Sequence, residues 1–144
     1  MIRLLNENDF SKWLPLWQSY LGFYQAGLSE EVTLHTWQGL ISRPNMRAFG
    51  AFNEQGDLLG FAHIVIHPNT WNITECCYLE DLFVAPQARR QGIAKQLIEA
   101  VYQFAQDNHC HRVYWVTDES NTSAQTLYEQ CATRMKLVQY RKSF

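Results

Sequence analysis

No apolar run in the sequence is long enough to span a bilayer, and the N-terminus, Met1-Ile2-Arg3-Leu4-Leu5, turns polar at once. Neither a membrane segment nor a signal peptide is therefore expected. Charge is sparse. Twelve Lys and Arg against 14 Asp and Glu leave a formal charge of −2, without the basic excess of a general nucleic-acid binder. The four cysteines, Cys76, Cys77, Cys110 and Cys131, form no CxxC pair, which disfavours a zinc site and a disulfide framework. No metal is expected, and the setting is expected to be reducing and cytoplasmic. Neither GxxxxGK[ST] nor GxGxxG occurs, so the signatures of kinase-like and dinucleotide-binding enzymes are missing. Repeats, low-complexity tracts and linkers are also missing. What remains, 144 residues of which 47% are hydrophobic, suits one folded domain spanning residues 1–144.

Punctuation and periodicity divide the chain. Met1 to Leu5 reads as a short strand, and Asn6, Asn8 and Asp9 as caps for a helix running to about Tyr24. In that helix Trp13, Trp17, Tyr20 and Tyr24 recur at three- and four-residue steps, placing four rings on one face, while Pro15 is harmless only in the first turn. Ser29 starts a second helix that stops at Arg43-Pro44. Met46 to Phe52 and Leu58 to His67 read as an antiparallel pair joined through Gly56, and Thr74 to Val84 as a long third strand. An amphipathic helix beginning near Arg90 runs to about Asn108, and His111 to Thr117 then forms a strand parallel to Thr74–Val84. A short helix capped by Asn121 or Thr122 follows, and Lys136 to Lys142 is predicted to close as a last strand.

Between the long strand and the third helix lies Leu82-Phe83-Val84-Ala85-Pro86-Gln87-Ala88-Arg89-Arg90-Gln91-Gly92-Ile93-Ala94-Lys95. The first N–H groups of a helix lack partners and carry the positive end of its dipole, so a small, basic loop at this point suits a phosphate. The alternative is a plain strand-to-helix connection. A second constellation, Asn121, Ala124, Leu127, Tyr128 and Glu129, stands on the later helix.

With these two stretches in this order, separated by a helix and a strand, the chain resembles the GCN5-related N-acetyltransferase (GNAT) family over nearly its full length. Arg89, Gly92 and Ala94, preceded by Val84-x-Pro86, match that family's cofactor motif. The departure is Cys131-Ala132-Thr133, where the family commonly has Gly-Phe. Tyr78 to Val84, with Leu16-Trp17 and Phe23-Tyr24, leans towards the histone and polyamine (spermidine and spermine) acetyltransferase branch. The resemblance implies an α/β (α+β) fold. Its central sheet would be mixed and mostly antiparallel, with about six to seven strands, a parallel pair splayed at the cofactor site and four flanking helices.

It also implies acetyl-CoA as cosubstrate and a primary amine as acceptor. The amine would be a polyamine-like small molecule or another cation, the alternatives being a protein lysine or a non-catalytic acyl-CoA module. Backbone groups of Gln91, Gly92, Ile93, Ala94 and Lys95 would hold the pyrophosphate, Arg89 and Arg90 would add charge, and Leu82, Phe83 and Val84 would pair with the pantetheine arm. Asn121 and Tyr128 belong to the same cofactor set, and an N–H near Phe83 or Val84 is expected to face the oxyanion. Tyr128 is the expected acid and Glu80 the expected base, with Glu80 sharing a face with Tyr78 and Leu82 and Asp81 facing away unless a bulge intervenes. Trp13, Tyr20, Trp37, Trp71 and Asp81 would suit a cationic amine. His63 and His67 share a face, and His67 is a candidate substrate contact or else a satisfied structural histidine. The resemblance also implies frequent dimerisation, with Tyr140 to Phe144 as an exchange edge.

Overall fold

A computed structural model describes all residues from Met1 to Phe144. Strands β1 (Ile2–Leu4), β2 (Met46–Phe52), β3 (Leu58–His67), β4 (Cys76–Val84) and β5 (Arg112–Tyr114) form one sheet in that order. The first four are antiparallel neighbours, and β5 runs parallel to β4. Helices α1 (Phe10–Phe23) and α2 (Glu30–Ser42) cover one face, and α3 (Ile93–Asp107) covers the other, with α4 (Thr122–Cys131) against it. The period-two alternation of strands makes the two cores. Ala48, Phe52 and Phe61 pack with Trp13, Trp17 and Trp37 beneath α1 and α2, while Phe49, Ala51, Ala62 and Ile64 pack with Leu97, Ile98 and Val101 of α3.

Helix starts follow their caps. The Ser29 side chain accepts the Val32 N–H and the Asn121 side chain accepts the Ala124 N–H. Asn6 and Asp9 form a capping box on a 3-10 turn, Glu7–Asp9, that leads into α1. Helix α1 continues past Pro15, which therefore lies beyond the first turn and leaves the Ser11 carbonyl without its helical donor. Asp9 is buried and is gripped by both Arg3 guanidinium nitrogens at 2.7 and 2.9 Å. This pairing holds its carboxyl below the usual carboxylate range. A carboxylate with a lowered folded pKa contributes stability above its unfolded pKa and loses it as pH falls through the folded one. Asp9→Ala should therefore cost about 1–2 kcal/mol at neutral pH. In acid-unfolding curves, the gap between variant and parent should close once the pH falls below that lowered value.

Two expectations are corrected. The sheet has five strands, not six to seven, because Lys136 to Lys142 forms no strand. Leu137, Val138, Tyr140 and Phe144 are each at least 78% exposed. The β5 ladder, only three residues long, offers the tail little edge to pair with. Helix α3 begins at Ile93 instead of near Arg90, because Arg90 (φ 63°) and Gly92 (φ 77°) are both left-handed and break helical geometry.

Candidate active site

The β4–α3 loop leaves the sheet through a 3-10 turn, Pro86–Ala88, and enters α3 through the left-handed pair Arg90 and Gly92. The first intrahelical bond runs from Gln96 N–H to Gly92 O, so the N–H groups of Ile93, Ala94 and Lys95 have no helical acceptor. A methyl group at Gly92 would meet no atom within 4 Å, so the space before the helix is open. Alternating left-handed residues gather N–H groups into a concavity, and the helix dipole adds positive potential there, which fits a pyrophosphate. Arg89 anchors the loop to the end of β4, donating from Nε to Val84 O at 3.2 Å and lying 5.7 and 5.8 Å from the Phe23 and Phe83 rings. Arg90, Gln91 and Lys95 are exposed beside it.

Upstream, β4 carries one residue more than β3 opposes. His63 pairs with Asp81 and Ile64 with Leu79, which leaves Glu80 as a bulge. In a bulge, two consecutive side chains emerge on the same side. Glu80 and Asp81 accordingly both line a cleft of about 360 Å³ beneath α1 and α2. Tyr78 and Glu80 share this side as expected. Leu82 does not, since the bulge shifts the parity and sends it to pack against the α3 core. Glu80 is open to solvent at the cleft floor, yet desolvation first, and the adjacent Asp81 charge second, raise its carboxyl above the ordinary value.

Beyond Tyr78, β5 parts from β4. The last six residues of β4, about 20 Å of strand, thus present an unpaired edge. Ala85 N–H donates to Leu59 O, so by antiparallel alternation Asp81, Phe83 and Ala85 turn their backbone groups to β3. Leu82 and Val84 turn theirs into the gap. Of the backbone N–H groups around Phe83, those of Leu82 and Val84 face the gap and that of Phe83 faces β3. A crevice in this gap is lined by Tyr24, Glu80, Leu82, Trp115 and Tyr128. Trp115 meets the Tyr128 ring edge-on at 5.4 Å. Burial, and then proximity to Tyr24 and Cys131, pushes the Tyr128 phenol up to about 12. The Asn121 carboxamide oxygen is engaged by Ala124 N–H at 3.3 Å, which orients α4 and hence Tyr128.

The structure thus brings Glu80, Asp81, Tyr20 and Tyr128 together, and separates the other candidates from them. Trp13 is wholly buried and Trp37 8% exposed, and both are core residues that do not line the cleft. Trp71 is 95% exposed on the β3–β4 turn. His67 bonds the Tyr114 hydroxyl at 2.6 Å, away from the cleft. Two cleft residues absent from the expected set are Trp17 and Tyr24. Their helical spacing with Tyr20 was the available signal, but it could not separate the buried end of that stripe from the open one. His63 lines the cleft as well and is nearly buried.

The sequence and the fold are similar to those of known proteins. The family model described as acetyltransferase (GNAT) family matches residues 10–132. The D-amino-acid N-acetyltransferase HPA3 of Saccharomyces cerevisiae is 35% identical over 99% of this chain and 90% of its own length. An aminoglycoside N(6')-acetyltransferase type 1 of Serratia marcescens is 26% identical over 99% of both chains. Among solved structures, AAC(6')-Iy in complex with the bisubstrate analog CoA-S-monomethyl-acetylneamine superposes with a TM-score of 0.85 at 25% identity. It covers 100% of this chain and 98% of its own.

Proposed function

The chain belongs to the acetyltransferase (GNAT) family and is an acetyl-CoA-dependent N-acetyltransferase, and from that premise we propose that its acceptor is a small cationic primary amine of polyamine or aminoglycoside type. The observation that carries this reading is the chemistry of the cleft. Two carboxylates, Glu80 and Asp81, stand on its floor among the rings of Trp17, Tyr20 and Tyr24, and no lysine or arginine lines it. Carboxylates and π-faces both attract an alkyl ammonium. A substrate carboxylate would meet like charge instead.

In this reading the pyrophosphate rests on the N–H groups of Ile93, Ala94 and Lys95, and the amide-bearing arm runs along the free edge of β4. Glu80 removes one proton from the bound ammonium, and the freed lone pair attacks the thioester carbonyl. The Val84 or Leu82 N–H steadies the oxyanion, and the C–S bond then breaks while a second proton passes from the new amide nitrogen to sulfur. Tyr128 hydrogen-bonds the departing sulfur.

The test is thiol release from acetyl-CoA with spermidine, an aminoglycoside, a lysine-containing peptide and D-amino acids. The kcat/KM for spermidine or the aminoglycoside should exceed that for D-amino acids by about tenfold or more. A second reading, D-amino acids as acceptors, is favoured by the 35% identity to the yeast enzyme. Faster turnover of D-amino acids would establish it and remove the first, and preference for the peptide would point to protein lysine.

A further inference from the structure

The Asp81 carboxylate is not a loose surface acid. Tyr20 donates its hydroxyl to Asp81 Oδ1 at 2.7 Å, and His63 Nδ1 lies 2.9 Å from Asp81 Oδ2. On the far side of the ring, the Trp13 indole nitrogen is 3.0 Å from His63 Nε2. An indole nitrogen only donates, so Nε2 must accept. The ring proton therefore sits on Nδ1, and it is donated to Asp81. His63 is 2% exposed and Trp13 wholly buried, and Phe61 stacks on the imidazole with ring centroids 4.4 Å apart and planes 12° from parallel. Nothing in this chain of bonds can rotate without leaving a buried polar atom unpaired.

We propose that His63 is a positioning residue for acceptor recognition: Trp13 locks it as the Nδ1–H tautomer, and in that state it fixes Asp81 as the carboxylate that binds the substrate ammonium beside Glu80. The proposal rests on the reading of this cleft as the acceptor site. The β-bulge supplies two adjacent acids, and the buried network gives them different duties. Asp81, with two of its acceptor positions taken by fixed donors, holds the cation. Glu80 has no protein hydrogen-bond partner on its carboxylate and is free to take a proton and pass it to solvent. Sequence spacing showed His63 and His67 on one face, and the structure divides them, with His67 tied to Tyr114 and His63 tied to Asp81.

Three measurements test the assignment. Nitrogen-15 NMR of the wild-type protein should place the His63 proton on Nδ1, and a proton on Nε2 would overturn the proposal. His63→Phe keeps a planar aromatic ring, slightly larger than the imidazole, and removes both polar atoms. It should raise the KM for spermidine about tenfold while the acetyl-CoA KM stays within about two-fold. His63→Asn, whose amide N–H stands near the lost Nδ1–H, should recover most of that loss although it fills less space. A purely space-filling role predicts the reverse order, and that order, or an equal rise in both KM values, sinks the idea. Should His63→Phe not fold, Trp13→Phe removes the locking donor and keeps a six-membered ring, and it should raise the spermidine KM about three-fold. An unchanged KM in that variant counts against the proposal. Absence of turnover with any amine would instead remove the acceptor-site reading, and the NMR result would still decide the tautomer.

Discussion

Glu80→Gln is expected to lower kcat/KM for a cationic amine by about 10²–10³ at neutral pH, with acetyl-CoA binding unchanged. The size follows from the acceptor. An alkyl ammonium with a pKa of about 10.4 is neutral in only about one molecule in 10³ at pH 7, so without a base the enzyme must wait for that fraction. The difference between variant and wild type should therefore shrink as the pH approaches the amine's own pKa. Wild-type kcat/KM should rise with pH through the ionisation of Glu80, and because that carboxyl is raised by burial and by Asp81, this limb should lie above the ordinary glutamate value. In Glu80→Gln the limb should vanish and the rate should climb steadily towards high pH. Equal pH profiles in the two proteins would show that Glu80 is not the base.

Tyr128→Phe is expected to cost about 10–100-fold in kcat, with little change in either KM. The phenol, held at about 12, would give its proton to a thiolate of about 8.5 only uphill, by about 5 kcal/mol. In the proposed mechanism a hydrogen bond from Tyr128 to the developing thiolate takes the place of full transfer, and a charge-assisted bond of about 1.5–3 kcal/mol sets the range given. The substituting ring keeps the edge contact with Trp115, so stability should hold. An acyl-donor thioester with a better thiol leaving group should narrow the gap between variant and parent, since it needs less help at sulfur. A rate unchanged by the substitution would remove Tyr128 from the chemistry.

Much of the fold was legible because its punctuation is local. Ser29 and Pro44 bracket α2, and the Met46–Phe52 and Leu58–His67 strands match their expected bounds through alternation around Gly56. The turn into α3 was legible as spacing, since Gly92 falls at a left-handed position. The bulge was not. Glu80-Asp81 in an apolar run reads the same with or without an unpaired residue, because only the partner strand counts the positions. Nor could periodicity rank the α1 rings by depth. Trp13, Trp17 and Tyr20 share a stripe, and only packing in the folded chain makes the first core and the last cleft. The last strand failed for the same reason as the bulge: alternation at Lys136 to Lys142 states a capacity to pair, and pairing needs an edge.

The unpaired position in β4 makes Glu80 a removable part. If that single residue were deleted, Tyr78 and Leu79 would keep their partners Val65 and Ile64, and Asp81 would keep His63 in a continuous ladder. Every residue downstream would stay on its present side. The sheet is therefore indifferent to the residue that the proposed chemistry needs most, and one codon could divide a catalyst from a protein that only holds its acyl donor. Related chains could gain or lose turnover at this position without any other adjustment of the fold.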